Sequence, residues 1–226
     1  MTTAHEFIAS CSALLLDFDG PMAALMPPPL NAQAAERVRR AAAVVLPDEL
    51  RTTADHLAIL RHLLDQPDAL ERAEAEATAA EIDCARTCQS APWLADLLTA
   101  AHARGIPWAV VTNNSPDAVH AFLSRFDYPP PAAVAGRTLA TTDRLKPDPL
   151  FLTQAMTVLG VNPAATVFVG DSVTDIEAGR VSGVRVIGYA NTTARELDLL
   201  SSGAETCIRS RVWRFMPYGG GEEGLE

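Results

Sequence analysis

The chain has 226 residues, of which 48% are hydrophobic and 20% are charged, and its formal net charge is −10. This length allows one substantial core, or one core with a small satellite domain, and the acidic balance argues against nucleic acid and anionic membrane as partners. No apolar run approaches the roughly 20 residues of a membrane span and no signal peptide is evident, so we expect a cytoplasmic protein.

Apolar runs alternate with helical patterns along most of the chain. The first strand is predicted at 12–16, where a short buried run ends in Asp17. Further strands are predicted at 106–111, 132–135, 166–169 and 184–187, with an edge strand at 205–208. Helices are predicted at 91–104, 116–126 and 149–160, and in a segment that stops at Gly183. This alternation predicts an α/β fold with a Rossmann-like parallel sheet and right-handed crossovers.

The stretch between the first two strands has a different texture. Alanine, leucine, arginine and glutamate dominate it, and helical spacing recurs at 34–45, 53–64 and 69–85 without a convincing strand. We therefore predict a small helical domain inserted into the α/β core, followed at the end of the chain by a disordered acidic tail. The predicted boundaries are 1–20 and 90–216 for the core, 21–89 for the inserted domain and 217–226 for the tail.

Polar side chains follow three of the predicted strands, at the edge where an open α/β sheet gathers its reacting groups. A solitary lysine stands in the loop before the helix at 149–160, and the other basic residues of the chain are arginines. A lysine is a compact point charge that arginine does not readily replace. The residues concerned are Asp17, Asp19, Thr112, Asn113, Lys146, Asp171 and Asp175.

These residue types point to phosphoryl transfer. Several carboxylates in one crevice would repel each other without a cation, and oxygen ligands of this kind favour Mg²⁺. Asp17 and Asp19 are two residues apart on an extended segment, so one can act as nucleophile and the other as acid and base. Lys146 would balance the carboxylate charge, and the Thr112 hydroxyl can hold phosphoryl oxygens.

Four segments in this order resemble the motifs of the haloacid dehalogenase superfamily, in its phosphoglycolate phosphatase-like branch. The resemblance covers roughly residues 12–190, and each motif falls at the expected element boundary. The matching segments are Asp17-Phe18-Asp19-Gly20, Val110-Val111-Thr112-Asn113, Leu145-Lys146-Pro147, and Val169-Gly170-Asp171-Ser172 through Asp175.

The resemblance implies a role for each residue. Asp17 would be the nucleophile and a Mg²⁺ ligand, and Asp19 would be the acid and base and would offer its backbone carbonyl to Mg²⁺. Asp171 would ligate Mg²⁺, with Asp175 in direct or indirect support. Thr112, Asn113 and Lys146 would bind the phosphoryl group, with Lys146 also steadying the nucleophile.

The resemblance also implies a helical cap domain, of the type inserted after the first strand, that closes over the site. Only the gap between Asp17 and Thr112 is long enough to hold it, which places the cap at 21–89. His56, Arg61 and His62 lie there and could meet substrate, but we predict a solvated helix face for each.

The function predicted from these residues is Mg²⁺-dependent hydrolysis of a small phosphorylated metabolite through an aspartyl-phosphate intermediate. A sugar phosphomutase is the alternative, although such enzymes usually carry an acidic residue where this chain has Gly170. Dehalogenation is a less favoured alternative, because dehalogenases of the superfamily generally lack the second acidic residue of the first motif and this chain has Asp19 there. A catalytically silent binding protein is the remaining reading, and the intact acidic and basic groups give it no support.

Overall fold

The computed structural model describes residue 8 and residues 10–209. Within this part of the chain, six parallel strands form one sheet in the order β3-β2-β1-β4-β5-β6. They are β1 (Ala13–Leu16), β2 (Trp108–Val111), β3 (Ala133–Ala135), β4 (Thr166–Gly170), β5 (Arg185–Ala190) and β6 (Thr206–Arg209). The sheet confirms the predicted Rossmann-like α/β class, and the tail predicted at 217–226 lies outside the described residues.

Helices cover most of the remaining described chain. They are α1 (Leu30–Ala42), α2 (Asp48–Thr52), α3 (His56–His62), α4 (Pro67–Ala85), α5 (Leu94–Ala103), α6 (Pro116–Leu123), α7 (Leu150–Leu159), α8 (Val173–Ser182) and α9 (Thr193–Ser201). The sequence did not predict α2 or α9. The second of these is only nine residues long and buries only Leu199, so few buried apolar positions mark it in the sequence. In the part of the chain that the structure describes, no helix has both the length and the apolar character to cross a membrane.

Both faces of the sheet are buried. Leu14 and Leu16 of β1 pack in one apolar cluster with residues of α5 and α6, and Leu15 packs in a second cluster with residues of α7 and α8. Successive side chains of a strand point to opposite faces, so a central strand covered on both sides reads as an unbroken apolar run. This arrangement leaves the residue after β1, Asp17, at the carboxyl edge of the sheet.

The inserted helices, α1 to α4 at 30–85, have an apolar cluster of their own. Val38, Ile59, Leu60 and Leu63 are fully buried in it. The C-terminal end of α4 leaves this cluster, and Ala80 and other residues there pack in the sheet cluster that contains α6. The inserted helices are thus anchored on the core through α4, while the boundary at residue 89 stays a prediction.

Candidate active site

A cavity of about 470 Å³ opens at the carboxyl ends of β1, β2 and β4, beneath the inserted helices. Its walls are mostly polar side chains, including His56 and Arg61 of α3. Asp175 lies behind the wall and is fully buried. The other predicted site residues all line the cavity: Asp17, Asp19, Thr112, Asn113, Lys146 and Asp171.

The two carboxylates of the first motif have different surroundings. The Asp17 N–H donates to Val169 O at 2.9 Å, so Asp17 continues the strand ladder and its side chain is held at the sheet edge, almost buried. The chain then turns, and Asp19 Oδ1 accepts a hydrogen bond from the Leu25 N–H at 2.9 Å. Burial raises the pKa of Asp19, and the backbone N–H groups that bind it oppose that rise. A carboxyl that holds its proton more firmly than usual suits a general acid.

Lys146 is the buried counter-charge of the site. Its Nζ lies 2.7 Å from Asp17 Oδ1, 2.7 Å from Asp175 Oδ1 and 3.2 Å from the Val111 carbonyl oxygen. Burial lowers the pKa of this ammonium, but the two carboxylates outweigh that effect and the pKa is raised. Lys146 therefore stays charged and holds Asp17 in one orientation.

The loop after β2 uses its side chains to fix its neighbours. Asn113 Oδ1 accepts from the Lys146 N–H at 2.8 Å, and Asn113 Nδ2 donates to the Lys146 carbonyl at 3.4 Å. The Thr112 hydroxyl donates to Asn114 Oδ1 and accepts from the Asn114 N–H, both at 3.1 Å. A phosphate contact from Asn113 is thereby left to its backbone, and the Thr112 hydroxyl must turn from Asn114 to reach a phosphoryl oxygen.

Asp17, Asp171 and Asp175 form an acidic cluster in which one oxygen of each lies within 4.8 Å of the others. Asp175 Oδ2 accepts from the Asp171 N–H, the Ser172 N–H and the Ser172 hydroxyl, at 3.1, 3.0 and 2.7 Å. Because Oδ1 faces Lys146, both oxygens of Asp175 already contact protein groups. This favours Asp175 as a support for the cluster and leaves Asp17 and Asp171 facing the cavity.

The electrostatics of the cluster suit a divalent cation. Burial, opposed by Lys146 and reinforced by Asp175, raises the pKa of Asp17 to about 7. Burial and the neighbouring carboxylates, Asp17 foremost, also raise the pKa of Asp171. When they are ionised, these neighbouring carboxylates repel one another. Together they form the hard, negatively charged donor set that Mg²⁺ prefers.

The raised pKa values predict a pH-dependent effect of Mg²⁺ on stability. In the metal-free protein, a carboxyl whose folded pKa exceeds its unfolded value makes the fold less stable as pH rises towards about 7. We expect the unfolding temperature in chelator to fall between about pH 5.5 and about pH 8, and Mg²⁺ to raise it more at the higher pH. Glu81, with a pKa of about 2, stays ionised throughout and does not contribute. Thermal unfolding with and without Mg²⁺ at the two pH values measures both effects. An equal Mg²⁺-dependent rise in unfolding temperature at the two pH values would contradict the prediction. As a control, Asp171→Asn should abolish this rise.

Gly20 gives the acidic cluster the space it needs. Its φ is +107°, and a Cβ on this residue would lie 2.6 Å from Asp171 Oδ2. We expect Gly20→Ala to displace the Asp171 carboxylate, to destabilise the fold by about 1–3 kcal/mol and to shrink the Mg²⁺-dependent rise in unfolding temperature.

Gly105→Ala is the matched control, because Gly105 also has a positive φ, +68°, but a Cβ there would meet nothing within 4 Å. It should show backbone strain and keep the full response to Mg²⁺. A normal Mg²⁺ response in Gly20→Ala would contradict the role assigned to this glycine.

The wall formed by α3 differs from the sequence prediction. The prediction of a solvated face is wrong for His56, which is buried, lines the cavity and lies with Nε2 2.9 Å from Oε1 of Glu81. His62 is exposed, and Arg61 is exposed at the cavity with Nη2 3.5 Å from the Lys146 carbonyl. A histidine at the first position of a short helix gives no sequence signal of a distant carboxylate partner.

Sequence reasoning also missed two buried charges beside this wall. Glu81 of α4 and Arg137, just after β3, are fully buried and contact each other at 2.7 Å. In the sequence Glu81 is one of several glutamates on an alanine-rich helix, and Arg137 is one of many arginines. Their partners are remote along the chain, so no local pattern distinguishes them.

The sequence is similar to a known protein family and to individual known proteins. A sequence profile of haloacid dehalogenase-like hydrolases matches residues 12–183. N-acetylmuramic acid 6-phosphate phosphatase from Pseudomonas aeruginosa is 34% identical over 105 residues, which cover 45% of this chain and 45% of that protein. Phosphoglycolate phosphatase from Escherichia coli K12 is 32% identical over 111 residues, covering 48% of this chain and 43% of that protein. The chain thus spans less than half the length of these curated relatives.

Solved structures share the fold at low sequence identity. CbbY from Rhodobacter sphaeroides, solved in complex with phosphate, has a TM-score of 0.64 at 21% identity, covering 88% of this chain and 93% of that chain. A protein from Thermotoga maritima assigned as a β-phosphoglucomutase has a TM-score of 0.58 at 20% identity, covering 88% of this chain and 94% of that chain. At such identities these likenesses establish the fold alone.

Proposed function

This chain belongs to the haloacid dehalogenase-like hydrolases, and we propose that it hydrolyses small phosphomonoesters with Asp17 as the nucleophile. One observation carries the proposal: the Asp17 carboxylate lines the cavity while the buried Lys146 Nζ holds its Oδ1 at 2.7 Å. A carboxylate fixed in one orientation by a permanent positive charge is prepared for in-line attack on a phosphoryl group.

The proposed reaction has two displacement steps, carried out by Asp17 and Asp19. An oxygen of Asp17 attacks phosphorus and forms a bond to it. The bond between phosphorus and the leaving-group oxygen breaks, and Asp19 donates a proton to that oxygen. Asp19 then takes a proton from water, the water oxygen attacks the same phosphorus, and the bond to Asp17 breaks. The products are an alcohol and inorganic phosphate, and both aspartates return to their starting states.

The residues of the acidic cluster fit a Mg²⁺ ion. We propose that Asp17, Asp171 and the backbone carbonyl of Asp19 hold it, with Asp175 fixing the loop that carries Asp171. When bound, Mg²⁺ would neutralise the cluster and withdraw charge from the phosphoryl group. Thr112 and the backbone N–H groups after β2 would bind the phosphoryl oxygens while Lys146 keeps Asp17 in place.

The substrate we propose is a small, polar phosphorylated metabolite. A cavity of about 470 Å³ has room for a phosphate with a leaving group of a few carbon atoms. Asp55, His56 and Arg61 line its outer part, so the leaving group would meet groups that form hydrogen bonds. The inserted helices would act as the cap that shields the reaction from water, in the cytoplasm as the sequence predicts.

A panel of phosphomonoesters with p-nitrophenyl phosphate as reference tests the proposal. We expect release of free phosphate that requires Mg²⁺ and stops on chelation. Absence of turnover across the panel, with a folded protein that binds Mg²⁺, would overturn it. Sugar phosphates belong in the panel because isomerised sugar phosphate in place of free phosphate would identify a mutase.

A further inference from the structure

A buried pair of charges joins the inserted helices to the α/β core. Glu81, in the C-terminal half of α4, and Arg137, just after β3, are both fully inaccessible to solvent, and Arg137 Nη2 donates to Glu81 Oε1 at 2.7 Å. Arg137 Nη1 also donates at 2.5 Å to Oε1 of Glu74, which lies about two turns before Glu81 on the same helix. Buried ion pairs contribute little net stability compared with apolar packing, so stability alone does not account for this pair.

That geometry is imposed on the loop that follows β2, residues 113–115. Arg137 Nε donates to the Asn113 carbonyl at 3.1 Å, and the Arg137 N–H donates to the Asn114 carbonyl at 3.0 Å. The Ser115 N–H donates to Glu81 Oε2 at 2.7 Å. Each residue of the loop is therefore held by one member of the pair. This loop lies between Thr112, proposed to bind the phosphoryl group, and the N-terminus of α6.

The other oxygen of the same carboxylate contacts the wall of the cavity that α3 forms. Glu81 Oε1 lies 2.9 Å from His56 Nε2, and His56 lines the cavity beside Asp19. Burial raises the pKa of Glu81, but its interactions with Arg137, His56 and the Ser115 N–H outweigh burial and lower this pKa to about 2. Because the carboxylate is ionised, Nε2 carries the proton that it donates, and Nδ1 is the ring nitrogen left for other contacts.

We propose that Glu81 is a positioning residue that holds His56 on the inserted helices and the 113–115 loop on the core in register. Each of its two oxygens fixes one wall, and Arg137 locks the carboxylate in place. This inference rests on the proposed function, in which the phosphoryl group sits at the loop and the leaving group lies towards His56.

Glu81→Gln tests the inference with little change in shape. Glutamine has one acceptor oxygen and one NH₂ group, so in either orientation an N–H must face the Ser115 N–H or the donors of His56 and Arg137. Misplacing a wall of the site by about 1 Å can cost about 100-fold in rate, and we expect a loss of this order in kcat/KM per folded molecule. The dissociation constant for inorganic phosphate in the presence of Mg²⁺, measured by calorimetry, should rise about tenfold.

Glu74→Gln is the matched control. Glu74 lies on the same helix as Glu81, and its substitution also removes a negative charge that pairs with Arg137. Glu74 touches neither the loop nor His56, and the glutamine keeps an acceptor for Arg137 Nη1. We expect its kcat/KM and its phosphate affinity to stay within about threefold of wild type. If Glu81→Gln is folded and equals Glu74→Gln in both quantities, the inference is wrong.

Arg137→Lys covers the case in which Glu81→Gln fails to fold. It keeps the buried positive charge but loses the planar fork that reaches the Asn113 carbonyl, and we expect kcat/KM to fall about tenfold or more. An unchanged kcat/KM would also overturn the inference.

Hydrogen exchange separates this inference from the proposed function. Amides at 113–115 should exchange faster in Glu81→Gln than in Glu74→Gln, whether or not the protein turns over any phosphate ester. An inactive wild type with this difference would refute the proposed function and keep the positioning role. Equal exchange in the two variants would refute the positioning role by itself.

Discussion

Asp17→Asn is expected to reduce kcat for phosphomonoester hydrolysis by about 10⁴-fold or more, because the amide that replaces the carboxylate cannot form the intermediate. Asparagine has the same shape, and its Oδ1 can still accept the hydrogen bond that Lys146 Nζ gives to Asp17 Oδ1 at 2.7 Å. The fold should therefore survive while the chemistry is lost. Steady-state rates with p-nitrophenyl phosphate, combined with unfolding temperatures, measure the two effects separately.

Asp117→Asn provides the control for this substitution. Asp117 is an exposed residue in the first turn of α6, close to the 113–115 loop but outside the cavity lining. It should retain wild-type kcat within about threefold. Substantial activity in Asp17→Asn would show that another group carries out the attack.

Lys146→Met is expected to remove most activity and to destabilise the metal-free fold by about 3 kcal/mol near pH 8. Methionine fills similar space but leaves Asp17 and Asp175, both within 2.7 Å of the lost ammonium, without their buried counter-charge. We expect kcat to fall about 10³-fold, because Asp17 loses both its orientation and the charge that keeps it ionised. Urea unfolding in chelator measures the stability term.

Two further substitutions define what the lysine contributes. Arg144, two residues before Lys146, forms an exposed ion pair with Asp148; Arg144→Met breaks this pair, and we expect no measurable shift in the urea midpoint. Lys146→Arg should be as inactive as Lys146→Met although it keeps a positive charge. The planar guanidinium does not fit a site shaped around a compact ammonium between two carboxylates. Activity or stability close to wild type in Lys146→Met would contradict the role assigned to this residue.

The fold was predictable because its strongest signals are local. Leu14 to Leu16 form an apolar run buried on both sheet faces, and a polar residue follows the run where the strand reaches the edge. The same pattern at Thr112 and Asp171 places polar groups at one edge, since parallel strands all end there. Helix stops at Gly160 and Gly183 were readable because both adopt the left-handed conformation that glycine favours.

The contacts that fix the site were not predictable, because they join residues far apart in the chain. Asn113 holds the backbone of Lys146, and Glu81 contacts both Ser115 and Arg137. Nothing in the sequence around Glu81 distinguishes it from the solvated glutamates of the same helix. The wrong prediction for His56 has the same origin, since its burial depends on where α3 packs against α4.

Trapping the phosphoryl group on the protein tests the central claim most directly. In Asp19→Asn, p-nitrophenyl phosphate should still react, because its leaving group needs little help from an acid, while attack by water loses its base. Acid quenching followed by peptide mass spectrometry should find one phosphoryl group on Asp17, together with a stoichiometric burst of p-nitrophenol. Hydrolysis that leaves Asp17 unmodified at every quench time, or a phosphoryl group on a different residue, would contradict the account.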